Sequence, residues 1–137
     1  MPAAKYFRVL ITDEKPLIKV TAFHLYNNDT RVDEVATITS GFISDGSILA
    51  KLKESTPNIN SVIEINTNNF RKFSLYFKWT FSTDTNVNCF KVGFSDLEST
   101  SLQKFKLQFS LDNTNWEDII FVGPDKKLFF TSSYSFS

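Results

Sequence analysis

The fold of this chain is decided by residues 73–81, which read FSLYFKWTF, with a large apolar side chain at every second position. A β-strand sends successive side chains to opposite faces, so this stretch buries one face and leaves the other in water. The same alternation occurs at residues 90–94 and 105–111. Strands with one apolar face must cover one another, so the pattern predicts a sandwich or barrel of antiparallel strands.

Short alternating segments separated by polar turns continue along the whole chain. Turns rich in Asn, Asp and Ser divide them at spacings of about ten to fifteen residues, a cadence typical of an all-β sandwich. We expect eight or nine strands, at residues 6–11, 17–26, 32–39, 61–65, 73–81, 87–94, 105–111, 116–122 and 128–131. A helical turn or two is expected at residues 48–54. Residues 1–131 are expected to form one domain, followed by a polar tail at residues 132–137.

The composition is that of a globular protein without a surplus of charge. The 137 residues include 15 acidic and 15 basic side chains, and binding to nucleic-acid phosphates would need an excess of Lys and Arg. A nucleic-acid partner is therefore not expected. The 15 phenylalanines favour strands with an aromatic core, and a single cysteine excludes an intramolecular disulfide. No stretch resembles a signal-peptide core or a membrane span, which predicts synthesis in the cytoplasm and no membrane insertion.

The sequence has no arrangement of side chains typical of a catalytic site. His24 is the only histidine and lies in an alternating segment, where a hydrogen-bonded structural role is favoured over that of a base. Cys89 alternates with Phe90, which favours packing over nucleophilic chemistry. Four glycines form no phosphate-binding cluster. The sequence therefore predicts no enzyme. A glycosidase is the catalytic alternative, but no pair of carboxylates stands out to support it.

Two polar turns carry the residue types that bind sugars. Carbohydrate sites on shallow sandwiches combine an exposed aromatic ring with amide, carboxylate or guanidinium groups that bond the hydroxyls. The candidates for ligand binding are Tyr26, Asn27, Asn28, Asp29 and Arg31 in one turn, and Asn68, Asn69 and Arg71 in the other. For each residue the alternative is ordinary turn chemistry, since Asn and Asp also bond their own backbone. Trp79 shares the apolar face of its strand and is expected in the core.

Residues 105–116 read FKLQFSLDNTNW and resemble the signature of the discoidin-type family. This family has the coagulation factor 5/8 C-domain fold, also called galactose-binding-like, and includes many carbohydrate-binding modules. Its members show a strand of the form Phe-x-Leu-Gln-x-Ser, then an Asp-Gly turn and a Trp. Here Asn113 replaces the glycine, a compatible change because Asn also adopts left-handed backbone conformations. The resemblance implies that Trp116 packs behind the hairpin, as its counterpart does in the family.

The resemblance implies an antiparallel jelly-roll β-sandwich that binds a ligand at its loop tips and performs no chemistry. Small domains of this type resemble parts of bacteriophage virions. We therefore expect a virion protein of the tail, fibre or baseplate, made in the host cytoplasm, that attaches to host-surface glycan. Its expected partners are other virion proteins and further copies of itself. The alternative is an assembly or decoration protein that binds no glycan.

No cofactor and no metal site are expected. Clustered Cys and His for zinc are absent from the sequence. Family members often carry Asp-Gly-Asn and a nearby Trp where this chain reads Asp45-Gly46-Ser47 without a Trp. Calcium could use Asp45, Asp84 or Asp112 with loop carbonyls, but short acidic turns are common in sandwiches.

Overall fold

The computed structural model describes residues 3–20, 22–54, 62–87, 89–93 and 104–119. Ten strands lie in these residues, two of them only two residues long: β1 (Ala3–Ile11), β2 (Leu17–Val20), β3 (Ala22–Asn27), β4 (Thr30–Arg31), β5 (Thr37–Ser40), β6 (Ile63–Asn66), β7 (Tyr76–Asn86), β8 (Cys89–Gly93), β9 (Phe105–Ser110) and β10 (Glu117–Asp118). The same residues contain one short helix, α1 (Gly46–Leu49), and 3₁₀ turns at Asp33–Val35, Ala50–Lys53, Thr67–Asn69 and Lys72–Ser74.

The described strands pair in three antiparallel sheets. The largest has five strands in the order β10-β9-β1-β7-β5, with β1 in its centre. The register of β1 with β7 places Phe7 opposite Trp79 and Leu10 opposite Tyr76. A two-stranded sheet joins β2 to β6, and a three-stranded sheet has the order β4-β3-β8. The predicted all-β antiparallel class is confirmed.

The core lies between the five-stranded sheet and the smaller sheets. Phe23 of β3 packs against Trp79 of β7 with ring centroids 5.4 Å apart. Phe23 also stacks on Phe90 of β8 at 5.4 Å, and Phe7 meets Phe81 edge to face at 5.8 Å. Burial of each such ring contributes about 1.5–3 kcal/mol relative to exposure. The layers are those of a sandwich, and the prediction that Trp79 belongs to the core is confirmed because its side chain is fully buried.

The alternating pattern extends beyond the strands at two places, and there the sequence prediction is wrong. Residues 73–81 were expected to form one strand, but β7 begins at Tyr76 because Leu10–Tyr76 is the last residue pair of the β1–β7 ladder. Phe73 lies in a 3₁₀ turn before the strand and is 68% exposed. Leu111 follows the end of β9 and is 69% exposed, although the pattern assigned it to the buried face.

Other differences concern the division of strands. The strand expected at residues 17–26 is described as β2 and β3, and residues 32–39 contain a 3₁₀ turn before β5. The division into β2 and β3 and the additional short strand β4 bring the number of described strands to ten, above the expected eight or nine. The expected helical turns at residues 48–54 are present as α1 and the turn that follows it. The strand expected at residues 128–131 and the tail lie outside the described residues, and the jelly-roll connectivity stays a prediction.

The candidate residues divide between two loop ends of the structure. The upper end comprises residues 12–16, 41–45 and 67–74, which are joined by backbone bonds such as Thr67 N to Pro16 O at 3.1 Å and Gly41 N to Tyr76 O at 3.4 Å. The lower end comprises residues 27–30, which follow Tyr26 and its pairing with Cys89 beyond the end of β7. Strand β7 runs from one end to the other, and its eleven residues span roughly 30 Å at the usual rise per residue.

Candidate functional site

The two predicted sets of ligand-binding residues lie at opposite ends of the structure. Tyr26 and the turn after it are at the lower end, since Tyr26 pairs with Cys89 at the start of β8. Asn68, Asn69 and Arg71 are at the upper end, beside the start of β2. The ends are roughly 30 Å apart along β7. The eight residues therefore do not form one site.

At the lower end, Arg31 is held inside the structure. Its Nε and terminal nitrogen donate to the two carboxylate oxygens of Asp33, each at 2.9 Å, and it also donates to the Lys53 carbonyl oxygen at 2.7 Å. Only 13% of its side chain is exposed. Burial alone would lower the pKa of Arg31, but the hydrogen bond and charge of Asp33 raise it above its ordinary value. This bidentate pair directs Arg31 inward and fixes the path of β4.

The remaining lower-end candidates form the turn that closes β3 and β4. Asn28 has a φ of 55°, in the left-handed region that Asn tolerates, which confirms the prediction of a turn. Asn28 and Asp29 are exposed, and Tyr26 and Asn27 are half-buried. No exposed large aromatic ring lies among residues 27–30. A sugar would lack a stacking surface within this turn.

At the upper end, the candidates sit on a firmly anchored segment. The hydroxyl of Thr67 donates to the Lys15 carbonyl oxygen at 2.7 Å, and Thr67 itself is buried. Two consecutive 3₁₀ turns follow, and the second is closed by the Ser74 amide donating to the Arg71 carbonyl oxygen at 2.9 Å. Asn68, Asn69 and Arg71 project from these turns and are exposed.

Two aromatic rings that the sequence prediction did not include lie among these polar residues. Phe70 is 38% exposed and Phe73 is 68% exposed. The guanidinium carbon of Arg71 lies 6.0 Å from the centroid of the Phe73 ring. In the described part of the chain no hydrogen bond engages the side chains of Asn68 and Asn69. The upper end thus presents apolar rings next to free amide and guanidinium donors, the combination expected of a sugar site.

Grooves lie on both sides of Phe70. One has a volume of about 510 Å³ and is bounded by β5, by residues 41–46 and by Phe70. The other has about 340 Å³ and is bounded by residues 11–14, 67–68, Phe70, Lys72 and Leu75. Phe42 supports the ring between them, with a centroid distance of 5.2 Å. Gly41 is required there, because a Cβ would overlap the Ser74 carbonyl oxygen and the Tyr76 ring.

A second group of polar residues lies on the outer face of the five-stranded sheet. Its members hydrogen-bond to one another. Arg8 donates from Nε to Gln108 at 2.8 Å, and Gln108 donates to Asp118 at 2.7 Å. The ring of Trp116 covers Arg8, with the guanidinium carbon 4.2 Å from its centroid. Trp116 is half-buried. The half-buried Trp therefore fixes the hairpin to the sheet, and we do not count it as a free stacking surface.

The turn of this hairpin is organised by Asp112. Its carboxylate accepts the backbone amides of Asn115 at 2.8 Å and Thr114 at 2.9 Å. The bond from the Asn115 amide, followed by that from the Thr114 amide, holds the pKa of Asp112 well below its usual range. Asn113 has a φ of 64°, which confirms that Asn takes the left-handed position where the family signature has Gly.

The groups considered for catalysis are not part of either loop end. His24 is buried in β3, and its Nε2 lies 2.7 Å from the Glu54 carbonyl oxygen. The side chain of Cys89 lies outside the described residues. Among the described residues, no three His, Cys, Asp or Glu side chains are grouped so that they could hold a metal ion. In the same part of the chain, no helix has the length and hydropathy to span a membrane.

One sequence signal could have identified the missing aromatic residue Phe70. It is an aromatic residue enclosed by the polar run Asn66-Thr67-Asn68-Asn69 and by Arg71, a position where a core residue is uncommon. No comparable signal was available for Phe73, because it continues the alternation of the following strand. Comparisons with protein-family models, curated proteins and solved structures found no match.

Proposed function

We propose that this protein is a non-catalytic carbohydrate-binding β-sandwich that uses its upper end to attach to glycan. The observation that carries the proposal is the exposure of Phe70 and Phe73 next to Asn68, Asn69 and Arg71. Exposed phenylalanines are costly in water and are common at binding surfaces. The rings offer stacking surfaces, and the amides and guanidinium offer donors to hydroxyl groups.

The biological setting that we propose is the virion of a bacteriophage, in a tail, fibre or baseplate. This setting rests on the resemblance of residues 105–116 to discoidin-type modules. The left-handed Asn113 supports that resemblance, since it reproduces the turn of the signature. A shallow site of this kind binds a single sugar with a dissociation constant of about 1 mM, or about 4 kcal/mol. Display of many copies on a particle would raise the avidity by a factor of about 10² or more.

A glycan array probed with the protein in multimeric form tests this proposal. Phe73→Ala should abolish the signal, because it removes the more exposed of the two rings at the upper end. Leu111→Ala is the matched control, since Leu111 is equally exposed, at 69%, but follows β9 and is not part of the upper end. It should leave binding unchanged. Absence of any glycan signal from the wild-type multimer, or equal losses in both variants, would contradict glycan attachment at the upper end.

A second function, as an assembly or decoration protein, is favoured by one specific observation. Strand β5 is an edge of the five-stranded sheet within the described residues, and the larger groove beside it is bounded by Ile38, Phe42 and Ile43. A sheet edge next to apolar side chains can accept a further strand from another subunit. Light scattering after size-exclusion chromatography tests the assembly function, because a stable monomer at high concentration argues against assembly through β5.

A further inference from the structure

The upper end contains three carboxylates, Asp13, Glu14 and Asp45, and three cations, Lys15, Arg71 and Lys72. They differ in whether a partner within the structure engages their charge. Asp13 is buried, and its carboxylate accepts the backbone amides of Lys15 at 3.2 Å and Lys104 at 3.3 Å. The Lys15 ammonium also pairs with Asp13, at 3.7 Å. Both the charge and the acceptor capacity of Asp13 are therefore engaged within the structure.

The other two carboxylates at this end are Asp45, which accepts hydrogen bonds from the Ser47 amide and hydroxyl at 2.9 and 2.7 Å, and Glu14, which is paired. Glu14 lies 3.7 Å from the Lys72 ammonium, with both side chains largely exposed. Two cations then have no carboxylate partner among the described residues, namely Arg71 and Lys104. Lys104 is located beside this end because its carbonyl oxygen accepts the Thr12 amide at 3.0 Å. Arg71 is therefore available to an anionic group of a ligand.

We infer that the glycan bound at the upper end is acidic and presents a carboxylate to Arg71. This inference rests on the proposed function and specifies its ligand class. A guanidinium offers two parallel N–H donors that match the geometry of a carboxylate. Because Arg71 also lies against Phe73, a sugar stacked on the exposed ring would place a ring carboxylate next to the guanidinium. A neutral sugar would leave the positive charge of Arg71 unmatched.

The charge arrangement favours a carboxylated sugar over an acidic protein or a lipid surface. An acidic protein would need a wider cationic surface than two unpaired side chains at one loop end. The nearby Glu14 is 82% exposed, and it would repel a dense anionic membrane more strongly than a single carboxylate held by Arg71. An isolated acidic sugar requires only one bidentate partner and one ring, and both are present.

The test compares acidic glycans with neutral versions of the same glycans, in which each carboxylate is reduced to an alcohol. Wild-type multimer should bind the acidic forms at least tenfold more tightly, which corresponds to about 1.4 kcal/mol. Arg71→Gln should remove this preference and leave weak binding of the neutral forms. Lys5→Gln is the matched control, because it removes one exposed positive charge at the other end of β1 and should change neither affinity by more than twofold.

The outcomes separate this inference from the proposed function. Equal binding of acidic and neutral forms, insensitive to Arg71→Gln but lost in Phe73→Ala, would overturn the acidic ligand and keep glycan attachment. No binding of any glycan by the wild type would overturn both. Binding to vesicles of anionic phospholipid that exceeds binding to every acidic glycan would also overturn the inference, since it would identify a membrane as the ligand. A preference for acidic glycans that weakens with added salt supports it.

Discussion

Replacement of Asp33 by Ala should strongly destabilise the fold, because this carboxylate is buried and has three hydrogen-bond donors. Arg31 donates to both of its oxygens at 2.9 Å, and the Leu25 amide donates to one at 3.0 Å. The variant leaves the Leu25 amide unpaired and removes the buried counter-charge of Arg31. Breaking a buried pair in this way costs about 3–5 kcal/mol. Glu34 and the Lys53 carbonyl oxygen remain near Arg31, so we expect a value of about 3 kcal/mol, at the low end of that range.

Urea denaturation followed by tryptophan fluorescence measures this loss, since Trp79 is fully buried and its emission should shift on unfolding. Glu34→Gln is the matched control. Glu34 also lies near Arg31, at 3.8 Å, but its side chain is 60% exposed, and exposed pairs contribute about 0–1 kcal/mol. If Asp33→Ala and Glu34→Gln lowered the free energy of unfolding by the same small amount, the structural role assigned to Arg31 would be wrong. Arg31 would then be a free cation at the lower end and a stronger ligand candidate.

Three further predictions concern packing, backbone geometry and pH. Trp79→Ala should lower the free energy of unfolding by about 3–5 kcal/mol, because it empties a fully packed site. A change near zero in urea denaturation would contradict burial of the ring. Gly41→Ala should destabilise the fold by about 1–3 kcal/mol, because the added Cβ overlaps the Ser74 carbonyl oxygen. Gly46 lies in open space in α1, so the control Gly46→Ala should leave stability unchanged or raise it. Equal melting temperatures of the two variants would contradict the close contact at Gly41. The pKa of Asp112 is lower in the folded protein than in the unfolded chain, so the ionised carboxylate stabilises the fold above the ordinary carboxyl pKa. This stabilisation is lost as pH falls below about 4. Asp112→Asn should therefore flatten the acid limb of a plot of melting temperature against pH. An unchanged limb would show that the turn bonds do not form.

The buried face of β7 and of the residue before it could be predicted from sequence because strand geometry is local. Alternate residues of a strand necessarily point to opposite sides, and Leu75, Phe77, Trp79 and Phe81 are all buried as the pattern requires. The turn residues were predictable for a similar reason. Asn28 and Asn113 occupy left-handed conformations that few other side chains tolerate.

The extent of each strand was not predictable, because a strand ends where its partner ends or where a turn begins. Phe73 continues the alternation of β7, but β1 offers no residue beyond Leu10 and Ile11 to pair with it. Leu111 follows the last pair of β9 with β1, which is Ser110 with Tyr6, although β1 itself continues to Ala3; here β9 ends because the turn organised by Asp112 begins. Apolar residues beyond a ladder have no facing layer to cover them. The alternation alone gives no information about this limit.

The candidate site, like the strands, could be predicted only in part from the sequence. Composition identified Asn68, Asn69 and Arg71 as residues suited to bind sugar hydroxyls, and the two polar turns appeared equivalent in sequence. Only the packing distinguished them, because Asp33 directs Arg31 inward and the anchored turns hold Phe70 and Phe73 outward.

The sequence by itself determined the all-β class, the aromatic core and the turn positions, since these follow from the period of side chains along a strand and from the backbone preferences of single residues. The tertiary structure decided which apolar rings stay in water and which cations lack a partner. Exposure and pairing depend on residues distant in the chain, such as Thr12 with Lys104 and Pro16 with Thr67. Their approach is set by the pairing of strands and has no counterpart in any local pattern.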